Sequence, residues 1–379
     1  MSKTILLLDG NCRQILPVCE SLSKNGYSVF TVSPKKFSYG SVTRWSDKTF
    51  ILDDPSKDPN SFYNQLLQLI RKVKVDLIIP LFDYSATILS KNKEELNKYS
   101  KVAVNDYDVF LKARDKSITM EICQRHNISS PKTYFSGINY IPENIINNII
   151  YPVVIKPIFG ESSKGFNVIN SKDELIDIFK TTSEKYGKCL IQEYIPQDDI
   201  QYKCEMYIDR DNDLITSVVF SKNRWYPIEG GSSTFNLTVQ RDDIVDTCYR
   251  LLMAIGWKGY ADIDLIQDPR DNTAKVMEIN PRITGSVKLA FDAGVDFAKI
   301  IVDDNFGEKP KVYEPEIGMG LRLFHKDILW FIKSKNRFKS KPSWFNFKNS
   351  SDQIISFSDP LPTIVATYEG LNTIFKLKK

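Results

Sequence analysis

The sequence predicts a mixed protein, with an α/β fold over about the first hundred residues and an α+β fold after them. Up to residue 104, short β-rich runs alternate with helical patterns, as in a parallel sheet with helices on both faces. From residue 151 onward, strands follow one another with few helices between them, as in antiparallel sheets. With 379 residues, 42% of them hydrophobic, the chain can supply cores for two or three domains.

The elements of the first part follow from local periodicity. The helix predicted over 60–73 has one apolar face, formed by Phe62, Leu66, Leu69, Ile70 and Val73. No G-x-G-x-x-G motif follows the first strand, where Asp9-Gly10-Asn11 stands instead. The main sequence evidence for a dehydrogenase is therefore absent. The predicted strands are 4–8, 27–33, 48–53, 75–81 and 101–104, and helices are predicted up to residue 25, over 60–73, up to about 99 and over 107–127.

A boundary is predicted at Ser130-Pro131, and the later elements follow it. Ser171 and Glu174 have the spacing of a capping box, which predicts the start of a helix over 171–186. A second helix, over 242–256, has one apolar face. The predicted strands are 151–157, 166–170, 189–195, 202–209, 214–222, 259–268 and 274–282.

Composition excludes several classes of protein. The chain has only two histidines, so its chemistry is expected to depend on carboxylates, lysines and arginines. Its six cysteines include no C-x-x-C pair, which argues against a disulfide framework and a zinc knuckle. The net charge of +4 is too small to indicate a nucleic-acid-binding protein. No long apolar run and no signal-peptide core occur, so a soluble, cytoplasmic protein is expected.

An acidic strand face is the first candidate site. If the strands 259–268 and 274–282 form a hairpin closed by the loop between them, Asp264 lies opposite Glu278 and Asp262 lies opposite Asn280. Alternation puts these four residues on one face, and it puts the apolar Ala261, Ile263, Leu265, Met277 and Ile279 on the other. Opposed carboxylates repel each other unless a cation lies between them, so the face is either a Mg²⁺ site or a solvated acidic surface.

Three further motifs carry charge at unusual places. Lys156 ends an apolar strand and precedes a loop from Gly160 to Gly165, which is either a phosphate-binding loop or an ordinary turn with a solvated lysine. Glu193 interrupts the apolar strand Leu190–Ile195. Arg282 follows the acidic strand closely, where it meets either an anionic ligand or a surface carboxylate.

Taken in order, these motifs resemble the ATP-grasp superfamily. The resemblance is carried by Arg114-Asp115-Lys116, the Lys156 strand with its glycine loop, Gln192-Glu193-Tyr194-Ile195, the strand with Asp264, and Met277-Glu278-Ile279-Asn280-Pro281-Arg282. It covers about residues 1–310. Within the superfamily the sequence is similar to carboxylate-amine ligases of the carbamoyl-phosphate-synthase type, also through Arg224-Trp225-Tyr226-Pro227 and Ser358-Asp359-Pro360.

The resemblance implies a Rossmann-like domain at 1–110, a two-subdomain ATP-grasp fold at 111–195 and 196–310, and a C-terminal extension at 311–379. It also implies ATP and Mg²⁺ or Mn²⁺ as cofactors. The implied catalytic residues are Arg282, Lys156 and Arg224. The implied ATP-binding residues are Lys116, Lys156, Gly160, Ser162, Ser163, Gly165, Glu193, Tyr194, Ile195 and, in place of the family's usual acid, Asp199. The implied metal ligands are Asp264, Glu278 and Asn280.

The activity implied by the resemblance is an ADP-forming ligase. A small-molecule carboxylate would attack the γ-phosphate of ATP, and an amine would then displace phosphate from the acyl phosphate to form an amide. The alternatives are a bicarbonate-activating carboxylase or carbamoyl-phosphate-type synthase, and a nucleotide-binding module without catalysis. The sequence identifies neither substrate and no oligomeric state.

The segment 322–348 has a charge of its own. It contains eight Lys or Arg and a single acid, Asp327, and aromatic residues are interspersed among them. It is expected to be a partly packed helix and loop with a solvated basic side, or a surface that contacts an anionic polymer or a membrane.

Overall fold

The computed structural model describes residues 2–134, 137, 140–160, 164–196, 200–228 and 231–377. These residues form sheets of five, four and seven strands, with helices packed against them. In this described part of the chain, no helix is both long and apolar enough to cross a membrane.

The N-terminal part contains the predicted parallel sheet. Its elements are β1 (Thr4–Leu7), α1 (Ile15–Lys24), β2 (Ser28–Ser33), α2 (Tyr39–Val42), β3 (Lys48–Ile51), α3 (Pro59–Lys72), β4 (Leu77–Ile79), α4 (Asp83–Lys91), α5 (Lys93–Leu96) and β5 (Lys101–Val102). The strand order is β3-β2-β1-β4-β5, and all neighbours are parallel. Because the chain reverses direction across the sheet beside β1, the loops after β1 and β4 border a crevice of the kind in which α/β sheets bind ligands.

The single helix predicted over 107–127 is instead two helices, α6 (Tyr107–Arg114) and α7 (Lys116–Arg125). Asp115 separates them. Its backbone is not helical, and its carboxylate accepts hydrogen bonds from the backbone N–H groups of Ser117 and Ile118, which caps α7. The break makes Lys116 the first residue of a new helix.

A four-stranded antiparallel sheet follows. Its elements are β6 (Thr133–Tyr134), α8 (Glu143–Asn148), β7 (Val153–Pro157), β8 (Asn167–Ile169), α9 (Lys172–Tyr186) and β9 (Cys189–Glu193), with strand order β6-β9-β7-β8. The predicted cap of α9 is confirmed, because the Ser171 hydroxyl accepts a hydrogen bond from the Glu174 N–H at 3.3 Å.

The remaining strands form one large sheet in the order β14-β13-β10-β11-β12-β15-β16. Its neighbours are antiparallel except β15 and β16. The strand predicted to end at Lys222 continues to Tyr226, and its partner β12 has no counterpart among the predicted strands. The elements of this part are β10 (Gln201–Ile208), β11 (Leu214–Tyr226), β12 (Ser232–Val239), α10 (Asp242–Ile255), β13 (Gly259–Asp268), β14 (Thr273–Asn280), α11 (Val287–Asp292), α12 (Phe297–Asn305), β15 (Gly320–Arg322), α13 (Phe324–Lys333), β16 (Ser350–Asp352) and α14 (Leu361–Leu377).

The large sheet buries both of its faces. On one face, Cys204 and Ile263 pack with residues of α6, α7 and α10. On the other face, Phe220 belongs to the same core as Leu7 of the N-terminal sheet and Leu321 of β15. The C-terminal segment is therefore built into the main core, and the polar residues of the second face lie towards the N-terminal sheet.

Candidate functional site

The predicted pairing of the two acidic strands is confirmed. In the register of β13 and β14, Asp264 is paired with Glu278 and Asp262 with Asn280. The register shifts directly after Asp264, where a β-bulge places Val276 opposite Leu265. Val276 therefore enters the apolar core, whereas Met277, predicted to lie on the core face, is only half-buried.

Two lysines that the sequence analysis missed neutralise these acids. Lys203 of β10 forms an ion pair with Asp262 and lies 3.9 Å from Asp264, and Lys222 of β11 forms an ion pair with Asp264. Burial alone would raise the pKa of Asp264, but the two ammonium groups outweigh it and hold that pKa well below its usual range. The available signal was the charged Lys203 and Glu205 alternating with apolar residues in β10.

Lys116, at the start of α7, and Lys156, in β7, both approach β14 beside Glu278. The Lys116 Nζ lies 3.0 Å from Glu278 Oε2, and the Lys156 Nζ donates a 3.4 Å hydrogen bond to the carbonyl oxygen of Met277. Burial, together with nearby Lys116, lowers the pKa of Lys156 to about 8. The two lysines implied to bind phosphate are thus brought together beside Glu278.

Two acids deeper in this face have oxygen atoms without a hydrogen-bond partner among the described residues. These atoms are Glu205 Oε2 and Asp262 Oδ1. Burial first, and the neighbouring Asp262 second, raises the pKa of Glu205 to about 8. The other oxygen of Glu205 accepts a 2.8 Å hydrogen bond from the Ser286 hydroxyl.

Arg282 is held by the start of α4. Its Nη2 donates a 2.9 Å hydrogen bond to Oδ2 of Asp83, the first residue after the β4 loop, and its guanidinium lies 5.3 Å from the ring centre of Phe82. Arg114 approaches the other oxygen of Asp83 at 3.7 Å. Burial would raise the pKa of Asp83, but the two guanidinium groups keep it below its usual value. Asp83 therefore positions Arg282, a role that the sequence analysis did not detect.

The implied adenine-binding strand lies at the far end of this region. The Glu193 carboxylate accepts hydrogen bonds from Lys275 and Arg270, each at 3.4 Å, so it is already paired with cations. The Tyr194 N–H donates to the carbonyl oxygen of Pro152 at 3.1 Å, and Ile195 is buried.

The glycine loop is described at its two ends. Lys116 donates a 3.3 Å hydrogen bond to the carbonyl oxygen of Gly160. Gly165 has a φ of +76°, and a Cβ atom there would lie 2.8 Å from the ring of Pro157, so only glycine fits. Ser162, Ser163 and Asp199, also implied to bind ATP, lie outside the described residues.

Arg224, implied to be catalytic, requires a correction. Its side chain is fully buried, with Nε 2.9 Å from Asp327 Oδ1 and Nη2 3.2 Å from Asp327 Oδ2. Its Nη1 donates to the carbonyl oxygen of Pro342 at 3.1 Å. All three of its nitrogens are used within the fold, so the structure assigns Arg224 to packing between β11 and the C-terminal segment.

Substituting Lys156 tests the proximity of this lysine to bound nucleotide. Lys156→Met is expected to weaken MgATP binding about tenfold or more in calorimetry, because one charged phosphate contact is lost. The thermal midpoint of the ligand-free protein should stay unchanged or rise slightly, since a buried ammonium without a carboxylate partner is costly. Lys180→Met, on the exposed side of α9, is the matched control. Unchanged affinity in Lys156→Met would contradict the assignment.

Comparison with known proteins identifies the domain that contains most of these site residues. A family model described as "ATP-grasp domain" matches residues 113–286. The chain is 25% identical over 322 residues to a D-aspartate ligase of Enterococcus faecium (strain Aus0004), an alignment that covers 79% of this chain and 75% of that protein.

Solved structures share the fold. An L-amino acid ligase from Bacillus licheniformis is 17% identical, with a TM-score of 0.66 and coverage of 83% of this chain and 77% of that one. N5-carboxyaminoimidazole synthetase from Staphylococcus aureus is also 17% identical, with a TM-score of 0.65 and coverage of 83% and 81%. The biotin carboxylase domain of Hydrogenobacter thermophilus 2-oxoglutarate carboxylase, solved with MgADP and bicarbonate, is 15% identical, with a TM-score of 0.70 and coverage of 84% and 73%. The predicted resemblance to the ATP-grasp superfamily is therefore confirmed, and the part of this chain that matches an ATP-grasp domain is residues 113–286.

Proposed function

We propose that the protein is an ATP-dependent carboxylate-amine ligase that forms an amide through an acyl phosphate and releases ADP and phosphate. The observation that carries this proposal is the convergence of Lys116 and Lys156 beside Glu278, which is paired with Asp264 across the hairpin. Such a site suits the transfer of a phosphoryl group, which depends mainly on positioning and charge neutralisation. The names of the D-aspartate ligase and L-amino acid ligase relatives support this type of reaction.

The donor set of the acidic face fits a hard divalent cation. Asp264, Glu278 and Asn280 offer only oxygen and amide groups, and Asp262 Oδ1, in the same cluster, is buried without a hydrogen-bond partner among the described residues. We infer that Asp264, Glu278 and Asn280 hold Mg²⁺ or Mn²⁺. The bound ion would neutralise the negative charge of the ATP phosphates.

The other residues of the site then have separate roles. Lys156 and Lys116 bind phosphate oxygens, and the loop from Gly160 to Gly165 covers them. The strand that ends at Glu193, with Tyr194 and Ile195, borders the adenine. Arg282, oriented by Asp83 at 2.9 Å, binds the acyl phosphate as it forms. The ribose contact implied for Asp199 stays a prediction.

Labelled oxygen tests the acyl phosphate. When the substrate carboxylate carries ¹⁸O, one labelled oxygen should appear in the released phosphate, because the oxygen that attacks the γ-phosphorus leaves with it when the amine arrives. ATP should be converted to ADP, as mass spectrometry of the products would record. Formation of AMP and pyrophosphate, or of amide with unlabelled phosphate, would rule out this route. Bicarbonate-dependent ADP formation without any amine would favour the carboxylase alternative instead.

We further propose that the protein acts in the cytoplasm, where ATP is available, and that the segment 322–348 contacts anionic membrane surfaces. The aromatic-basic surface consists of Ile332, Phe338, Phe345 and Phe347 with the lysines and arginines around them. Phe338 is 72% exposed and Ile332 60% exposed, although both lie among cations. Exposed apolar side chains within a basic region suit the interface of an anionic bilayer.

Vesicle co-sedimentation tests this contact. The protein is expected to bind vesicles that contain phosphatidylglycerol, and to bind them less at high salt, because the charges are solvent-exposed. Phe338→Ser should weaken binding, whereas Phe357→Ser, which removes a fully exposed aromatic side chain outside the surface, should not. Binding that is absent or unaffected by salt would refute membrane contact, and binding to dextran sulfate alone would indicate an anionic polymer.

A further inference from the structure

Arg13, in the loop after β1, has a charge that no described carboxylate neutralises through an ion pair. Its buried Nε also has no hydrogen-bond partner among the described residues. The group lies against the loop that follows Arg282, since a Cβ atom on Gly285 would be 2.9 Å from Arg13 Nε. A guanidinium that is partly buried without an anionic partner lowers the stability of the folded protein, so its presence at this place requires an explanation.

A second cation, Lys326 of α13, is near enough for Arg13 to influence it electrostatically. Lys326 of α13 makes a single hydrogen bond, 3.4 Å long, to the Ser232 hydroxyl, and no ion pair with any described residue. Burial lowers the pKa of Lys326, and the nearby Arg13 lowers it further. Asp352 is the acid that influences Arg13, but its oxygens accept backbone hydrogen bonds from Phe324 at 2.8 Å and from residues 354 and 355. Among the described residues, no carboxylate forms an ion pair with either of these two cations.

The location connects this pair of cations with the reacting centre. Arg13 follows β1 and Asp83 follows β4, which are the two strands at the point where the order of the N-terminal sheet reverses. Asp83 holds Arg282 at 2.9 Å, and Arg282 lies only three residues before Gly285, against which Arg13 packs. One small molecule bound in this crevice can therefore reach both Arg282 and Arg13.

We propose that Arg13 and Lys326 bind a second anionic group, a carboxylate or a phosphate, of the acid substrate. This proposal rests on the proposed ligase function and adds a class of substrate to it. The reacting carboxylate lies at Arg282, and the second anion lies between the guanidinium of Arg13 and the ammonium of Lys326. An acid that lacks the second anionic group leaves both cations unpaired and binds poorly.

Matched acids test the substrate class without knowledge of the amine. Hydroxylamine replaces the amine and converts any acyl phosphate to a hydroxamate, and ADP is measured in parallel. The pairs are butyrate and succinate, alanine and aspartate, and glycerate and 3-phosphoglycerate. In at least one pair the dianionic acid should be preferred about tenfold or more, the factor expected for one charge-assisted contact. The pair that responds tells a carboxylate from a phosphate.

Variants test the residues themselves. Arg13→Gln should raise the half-saturating concentration of the dianionic acid about tenfold and leave MgATP affinity within about twofold, while Arg13→Lys restores part of the loss. Arg71→Gln, at an exposed arginine of α3, is the control. Lys326→Gln provides a second variant if Arg13→Gln fails to fold, as judged by circular dichroism.

The outcomes separate the two proposals. Equal use of both acids in every pair, or an Arg13→Gln variant identical to wild type, overturns the anionic subsite and leaves the ligase standing. If no acid yields ADP or hydroxamate, the ligase proposal fails. Calorimetric binding of succinate and 3-phosphoglycerate to wild type and Arg13→Gln in the presence of MgADP then decides the subsite independently, and equal or absent binding in both proteins overturns it.

Discussion

Glu278→Gln is expected to lower Mg²⁺-dependent ADP formation by about three orders of magnitude, the largest effect of any single substitution proposed for this protein. The amide keeps the size of the side chain but removes the charge that faces Asp264 across the hairpin. It also removes the carboxylate that lies 3.0 Å from Lys116. The proposed metal ion and Lys116 would therefore lose the same partner.

Stability should fall by about 1–2 kcal/mol in this variant. The Glu278 side chain is 33% exposed, but Lys116 is only 9% exposed and would keep a hydrogen bond to the new amide oxygen without its anionic partner. MgATP should therefore raise the thermal midpoint of wild type more than that of Glu278→Gln, because ligand binding stabilises the folded state by linkage. This measurement reports binding independently of turnover.

The matched control is Asp271→Asn, which removes an acid from the tip of the same hairpin. Asp271 is half-exposed and lies 3.6 Å from Lys275, outside the acidic face. Its substitution should leave ADP formation within about twofold of wild type, as surface changes usually do. Full Mg²⁺-dependent turnover in Glu278→Gln would show that the pairing with Asp264 does not hold a metal ion.

Asp327→Asn is expected to lower the free energy of unfolding by about 3–5 kcal/mol, the largest effect on stability. Asp327 is fully buried and binds Arg224 through both carboxylate oxygens. It also accepts a 2.8 Å bond from Arg322 and a 2.9 Å bond from the Thr234 hydroxyl. Without the negative charge, two guanidinium groups stay buried with no compensating anion.

Urea denaturation would measure this loss against a surface pair. Glu20→Gln breaks the exposed pair between Glu20 and Lys24, and it should cost less than about 1 kcal/mol. Arg224→Met should keep ADP formation near that of wild type at temperatures where the variant is folded, because its nitrogens contact only the fold. A folded Arg224→Met variant without activity, or a loss below about 1 kcal/mol in Asp327→Asn, would overturn this account of the cluster.

The sequence by itself determined the local and periodic features of this protein. Alternation of apolar runs with helical patterns was enough to predict the parallel sheet, because this pattern involves only residues that are close together in the sequence. The register of Asp264 with Glu278 was also predictable, because a short loop joins the two strands and alternation limits which face each side chain occupies. The order of the ATP-grasp motifs was likewise present in the chain.

Tertiary structure alone decided which distant groups meet. The ion pairs of Lys203 and Lys222 depend on the order β13-β10-β11, and the bond between Arg282 and Asp83 joins the loop after β14 to the start of α4. Arg224 was predicted to be a site residue, but its side chain is buried in an ion pair. Its partner Asp327 lies on α13, about a hundred positions later in the chain. The residues next to a charged side chain do not show which distant residue will pair with it, because that pairing depends on long-range packing rather than on periodicity.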